Sequence, residues 1–191
     1  MNRVVLAMTG ASGAAIGLRV AERLHALPAV ELHLVVSRAA ERTLAHEVAP
    51  DASARLQALA DVVHPLDDIG ASIASGSFAS SGMLVVPCSM HSLAAIATGM
   101  ADNLIVRAAD VHLKERRRLV LMARETPLHL GHLRNMVAVT EMGAVVMPPV
   151  PAFYHRPASI ADMVDHLAAR AIDLLALPGV SMAQEWRGEA G

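Results

Sequence analysis

The sequence predicts a single α/β domain built on an open parallel sheet, and three observations carry that expectation. Short apolar runs rich in β-branched residues alternate with longer segments of helical period, which is the pattern of consecutive βαβ units. The chain has 191 residues, the size of one such domain rather than two. Nearly every apolar run is followed at once by small or polar residues, and in an open parallel sheet ligands bind outside the carboxyl ends of the strands.

In chain order, the first strand is expected at Arg3 to Met8, and Thr9-Gly10-Ala11-Ser12-Gly13 turns it directly into a helix at about Ala14 to Ala26. Glu31 to Val36 is the second strand, and Ser37 precedes a helix from Arg38 to Glu47. A short third strand falls at Asp61 to His64. Met83 to Val86 is the fourth, followed by Pro87-Cys88-Ser89-Met90-His91-Ser92, a helix at Ser89 to Thr98 and another at Asp102 to Arg117. Leu119 to Met122 is wholly apolar and reads as the most buried strand; Arg124-Glu125-Thr126-Pro127 follows it, then a helix at Leu130 to Glu141. Ala144 to Met147 is the sixth strand and runs into a proline-rich segment ending in Phe153-Tyr154. The closing helix, Ser159 to Leu177, repeats Ile160, Met163, Val164, Leu167, Ala168, Ile172 and Leu175 at a period of about 3.6, with Ser159 as N-cap. Residues 1–178 form the domain and 179–191 a polar C-terminal tail.

Composition excludes several function classes. The net charge of −2 gives no basic field for a polyanion, so no nucleic acid is expected. One cysteine excludes a disulfide framework and a cysteine-based metal site. No Asp, Glu, Lys or Arg occurs from Ile69 to Ala101, but serines, glycines and Pro87 interrupt that stretch, so no membrane span is expected. The chain opens without a signal-peptide pattern, which points to the cytoplasm. Apolar residues make up 54% and charged residues only 18%, an excess that reads as buried subunit interface in a homo-oligomer, with Ser92 to Ala101 as the candidate interface helix.

The polar residues that look misplaced gather at the strand ends. Thr9 to Gly13 offers small residues, two hydroxyls and backbone amides at a helix N-terminus, which suits a cradle for phosphate, a tight turn that needs small residues being the alternative; it lacks the Gly-Lys-Ser/Thr of a Walker loop and the spacing of a dinucleotide fingerprint. Lys114 is the single lysine in a chain whose other basic side chains are all arginine, which points to a place for a compact ammonium, chance retention on a solvated face being the alternative. Arg107 lies two helical turns before it on the same face. Arg124-Glu125, straight after a buried strand, is an expensive place for charges without a task, an ion pair being the alternative. Cys88 reads as a small buried hydrophobe rather than a nucleophile. The histidines show no metal-ligand spacing, so no metal is expected. A lysine, several arginines, hydroxyls and a carboxylate suit phosphate monoesters beside a proton acceptor.

These residues, in order, resemble the flavin prenyltransferases, the UbiX/Pad family once described as aromatic acid decarboxylases. The resemblance runs through Met8-Thr9-Gly10-Ala11-Ser12-Gly13, Ser75-Gly76-Ser77, Pro87-Cys88-Ser89, Asp102-Asn103-Leu104, Arg107-Ala108-Ala109-Asp110-Val111, Leu113-Lys114-Glu115-Arg116-Arg117, Arg124-Glu125 and Pro151-Ala152-Phe153-Tyr154. It implies a Rossmann-like (flavodoxin-like) three-layer subunit of a homo-oligomer, typically a dodecamer, with FMN at subunit contacts. The implied FMN contacts are Gly10, Ala11, Ser12, Ser37, Ser89, Met90, His91, Ser92 and Arg124. The implied prenyl-phosphate contacts are Lys114, Arg124, Tyr154 and Arg170, with Arg107 in the adjoining charge network; Glu125 and Glu47 match acidic residues of the active site. The implied reaction joins the dimethylallyl unit of dimethylallyl monophosphate to reduced FMN, at N5 and then C6, without a metal. The prenylated FMN serves a partner decarboxylase of the UbiD type, in ubiquinone synthesis or aromatic-acid decarboxylation. Lys114, Arg124 and Arg170 are assigned to the leaving phosphate, Ser12 and Glu125 to proton handling.

One departure is visible: where some members carry a pocket tryptophan, this chain has Ile69, and its single tryptophan is Trp186 in the tail. The competing readings are an FMN-dependent cysteine-type decarboxylase of similar fold and a non-catalytic flavin carrier.

Overall fold

The computed structural model describes residues 1–185 and Gly188, so Trp186 lies outside the described residues. Six strands form one all-parallel sheet in the order β3-β2-β1-β4-β5-β6. They are β1 (Asn2–Met8), β2 (Val30–Val36), β3 (Val62–His64), β4 (Gly82–Cys88), β5 (Leu119–Ala123) and β6 (Val145–Val146). One helical layer holds α1 (Ala14–His25), α2 (Arg38–Glu47), α3 (Ala52–Ala58) and α7 (Ile160–Asp173); the other holds α4 (Met90–Thr98), α5 (Leu104–Lys114) and α6 (Leu130–Glu141). The result is the three-layer α/β fold.

Helices on both faces explain why the strands are continuous apolar runs rather than alternating ones. Along β1, Val4, Leu6 and Met8 join the core beneath α1 and α7, whereas Val5 and Ala7 join the core beneath α4 and α5. Each fully buried Leu or Val contributes about 1.5–3 kcal/mol of apolar transfer. Arg19 and Arg23 on α1 meet Asp165 on α7 at 2.6 and 2.5 Å, which fixes the rotation of α7 about its apolar stripe. Ser159 caps α7 and Asp162 reaches back to the Ser159 amide, a complete capping box.

Several boundaries differ from expectation. Helix α5 ends at Lys114, not Arg117, because Arg116 turns left-handed at φ 56. The amide of Arg117 then donates to the His112 carbonyl at 2.8 Å and that of Arg116 to Leu113 at 3.1 Å, a Schellman ending built without glycine. Helix α7 stops at Asp173 instead of Leu177: the amides of Leu175 and Ala176 bond only three residues back, to Ile172 and Asp173 at 3.0 Å each, and Ala176 turns left-handed at φ 53. Strand β6 keeps only two residues of an expected four, having a neighbour on one side alone. Helix α3 was not foreseen: it buries only Ala52 and Leu56, too few positions to show a period. Short 3-10 turns occupy Ser72–Ala74 and Phe153–His155.

Candidate active site

Strand order reverses between β1 and β4, and both strands end on the same edge. Thr9 ties those ends together. Its amide and hydroxyl both donate to the Pro87 carbonyl, at 3.1 and 2.9 Å, and its Oγ accepts the Ser89 amide at 2.7 Å. A groove of about 510 Å³ opens here, lined by Thr9, Gly10, Ser37, Ser89, His91, Ser92 and Asn103 together with Arg38 and Asp67. Three helices begin at it. Ser37 caps α2, Ser89 caps α4 and Asn103 caps α5, each through a side-chain oxygen accepting a first-turn amide at 3.1–3.2 Å. Their uncapped first amides and positive dipole ends therefore converge on one groove, an arrangement that favours an anion. Ala11 lies on the same turn, and Met90 packs back against the core.

The N-terminus of α1, expected to cradle phosphate, already holds a carboxylate. Glu47, at the end of α2, accepts the amides of Gly13 and Ala14 at 2.9 Å each. Gly13 has φ 108, which presents both amides to one oxygen and suits glycine. Partial burial works to raise the Glu47 carboxyl pKa, but the adjacent Ser12 hydroxyl, the two amides and the Arg124 charge together hold it below its ordinary value. Ser12, Glu47 and Arg124 are thus neighbours, although they come from the turn after β1, the end of α2 and the residue after β5. Arg124 is fixed by its amide, which donates to the Cys88 carbonyl at 3.1 Å. Glu125 beside it is exposed and accepts the Thr126 amide at 3.0 Å. Burial pushes the Cys88 thiol up to about 12, so that side chain stays un-ionised.

The remaining expected residues lie elsewhere in the protomer. Tyr154 and Arg170 line a second cavity, of about 600 Å³, between the segment after β6 and α7, together with His166 and Asp173. Arg107 pairs with Asp110 on α5 at 2.7 Å. Lys114 pairs with Glu115 at the end of α5, next to the chain that enters β4 and β5. Because all strands are parallel, that places Lys114 at the opposite edge of the sheet from Ser12 and Arg124. Asn103, Arg38 and Asp67 were not anticipated; an N-cap residue ahead of an apolar run was the available signal for Asn103.

Among the described residues no group of three or more His, Cys, Asp or Glu side chains could hold a metal ion, and no helix is long and apolar enough to cross a membrane.

The Flavoprotein family model matches residues 1–171. A flavin prenyltransferase UbiX from Neisseria meningitidis is 54% identical over 190 residues, covering 100% of this chain and 99% of the relative. A crystal structure of AnUbiX (PadA1) in complex with FMN and dimethylallyl pyrophosphate is 51% identical, covers 98% of both chains and superimposes with a TM-score of 0.92. A dodecameric FMN-dependent UbiX-like decarboxylase from Escherichia coli O157:H7 is 46% identical, with a TM-score of 0.91 over 97% of this chain and 100% of that one.

Proposed function

The chain belongs to the Flavoprotein family, among its UbiX-type flavin prenyltransferases, and on that premise we propose that it joins the dimethylallyl group of dimethylallyl monophosphate to reduced FMN. The product is prenylated FMN for a UbiD-type decarboxylase, and the setting is the cytoplasm. The observation that carries this reading is the Ser12–Glu47–Arg124 cluster standing beside a hydroxyl-lined groove at the reversal of strand order. Three helix N-termini and the hydroxyls of Ser37, Ser89 and Ser92 form a donor set that fits a phosphorylated polyol such as FMN. Gly10, Ala11, Ser12, Met90, His91 and Arg124 complete the flavin contacts.

Reduced FMN supplies nucleophilic N5 and then C6, so that the allylic C–O bond breaks, phosphate leaves and a fourth ring closes. The chain's part is electrostatic. Negative charge grows on the leaving phosphate, and Lys114, Arg124 and Arg170 receive it, with Tyr154 as hydroxyl donor and Arg107 in the adjoining charge network. Ring closure adds a proton to the prenyl alkene as the C6–C bond forms and then takes one from C6, with no net change; Ser12 and Glu125 handle that exchange, and Glu47, held ionised, orients Ser12.

One protomer does not bring these groups together, so the complete site forms where protomers of a homo-oligomer meet, and we assign a dodecamer. Exposed Met100, Leu130, Leu133, Val137, Val150 and Phe153 supply apolar surface for such contacts. Helix α4, the expected interface helix, buries Leu93, Ala95 and Ile96 within its own chain, which leaves Met100 and the α6 stripe as the outward surface.

Anaerobic incubation with reduced FMN and dimethylallyl monophosphate, followed by mass spectrometry of the extracted flavin, tests the proposal. A gain of one C5 unit is expected; flavin of unchanged mass would leave a carrier or a different flavoenzyme.

A further inference from the structure

His112 is the most deeply buried histidine in the chain, at 1% exposure, and the reaction outlined above gives it no task. Its Nδ1 lies 2.7 Å from the Ala108 carbonyl, and a carbonyl can only accept, so Nδ1 carries the proton. In the neutral ring, which burial favours, Nε2 then presents a lone pair, and the Ser80 hydroxyl 2.9 Å away donates to it. The Ser80 oxygen in turn faces Arg117 Nη1 at 3.3 Å, a group that can only donate. With His112 neutral, the protons run one way: Arg117 to Ser80, Ser80 to His112, His112 to the backbone of α5.

The same guanidinium also grips the backbone of the segment ahead of β4. Arg117 Nη1 donates to the Phe78 carbonyl at 2.7 Å and Nη2 to the Gly76 carbonyl at 2.5 Å. The turn Ser75-Gly76-Ser77 is thereby held on top of the Lys114–Glu115 pair. The fit is tight enough that a Cβ on Gly76 would stand 2.3 Å from Glu115 Oε1 and 2.6 Å from Lys114 Nζ. Burial drives His112 toward the neutral form, as the lone pair on Nε2 requires.

We propose that His112, through Ser80 and Arg117, is a positioning residue that seats the Ser75–Ser77 turn over Lys114 and so sets where the ammonium meets the prenyl phosphate. This rests on the role given to Lys114 above. Loss of the lone pair on residue 112 frees the Ser80 hydroxyl, loosens the turn and lets Lys114 follow Glu115 away from the substrate.

Two substitutions separate that role from simple core packing. His112→Asn keeps a donor for the Ala108 carbonyl but offers nothing to Ser80; His112→Gln restores an acceptor at the Nε2 position. His112→Asn and Ser80→Ala should each raise KM for dimethylallyl monophosphate about tenfold, the worth of one buried hydrogen bond, with FMN affinity unchanged. His112→Gln should stay near wild type. The Ser80→Ala/His112→Asn double variant should be no worse than either single one, because both remove the same bond. Hydrogen exchange over residues 75–80, read on the same proteins, should quicken in the first two variants and not in His112→Gln. Equal KM in all variants overturns the proposal, as does a Gln variant as impaired as the Asn one. Absence of prenylated flavin from the wild-type protein overturns the proposed function and the positioning role with it, and the exchange data then report the clamp alone.

Discussion

Glu47 shows how one side chain serves both folding and chemistry. It caps α1 through two amides and touches Ser12 while facing Arg124, so removing its charge affects both. Glu47→Gln should slow prenyl transfer by about a hundredfold, because Ser12 loses the carboxylate that orients it for proton handling, and cost about 1 kcal/mol of stability as a weakened cap. Turnover measurements and thermal melts read the two effects separately. Lys114→Ala should leave FMN binding intact and abolish transfer; unchanged turnover would remove the ammonium from the mechanism. His112 makes a pH prediction of its own. Burial lowers its pKa to about 4 from an ordinary 6.5, so the unfolded chain takes up a proton that the folded one refuses. Stability is therefore full above about pH 6.5 and falls as pH drops toward 4, by roughly 3 kcal/mol from this group. Denaturation of His112→Gln should lack that part of the slope. None of these pairings was legible in the sequence: Glu47 and Gly13 are 34 residues apart, Ser80 and His112 are 32 apart, and no local pattern announces either.

At the scale of elements, the contact between α1 and α7 rests on an apolar stripe and on Asp165, which takes Arg19 and Arg23 together. Hydrogen bonding from Arg23, aided by Arg19 and opposed by burial, holds the Asp165 carboxyl down at about 2. Its contribution is complete above the ordinary carboxylate value of 3.8 and fades as pH falls from there toward 2. Asp165→Asn should lower the melting temperature at neutral pH by an amount worth about 1 kcal/mol, since the pair is partly solvated, and the difference from wild type should shrink in acid. The stripe of α7 and the continuous apolar strands could be read directly, because period and burial on two faces leave a mark in the sequence. The end of α5 could not: Arg116 adopts a left-handed turn that its side chain does not favour, so only the tertiary grip of Arg117 on Gly76 and Phe78 explains why the helix stops there.

For the whole molecule, the alternation of strands and helices was enough to place the hydroxyls of Ser12, Ser37 and Ser89 at the carboxyl edge of a parallel sheet. It did not reveal that Lys114 occupies the opposite edge or that Tyr154 and Arg170 share a cavity of their own, since a one-dimensional pattern says which side of a helix a residue takes and not which neighbour it will meet. On the proposed function, assembly closes that gap. Leu133→Glu, on the exposed apolar stripe of α6, should shift the light-scattering mass toward smaller species and reduce turnover with it; an unchanged mass would move the interface elsewhere. The most direct measurement of the central claim is complementation between two inactive chains. Lys114→Ala and Arg124→Ala protomers, co-expressed so that they assemble together, should regain a substantial fraction of wild-type flavin prenylation, because some sites receive an intact Lys114 from one chain and an intact Arg124 from another. Mixed oligomers that stay as inactive as either parent would show that Lys114 and Arg124 act within a single chain or not in the same site, and would contradict the account.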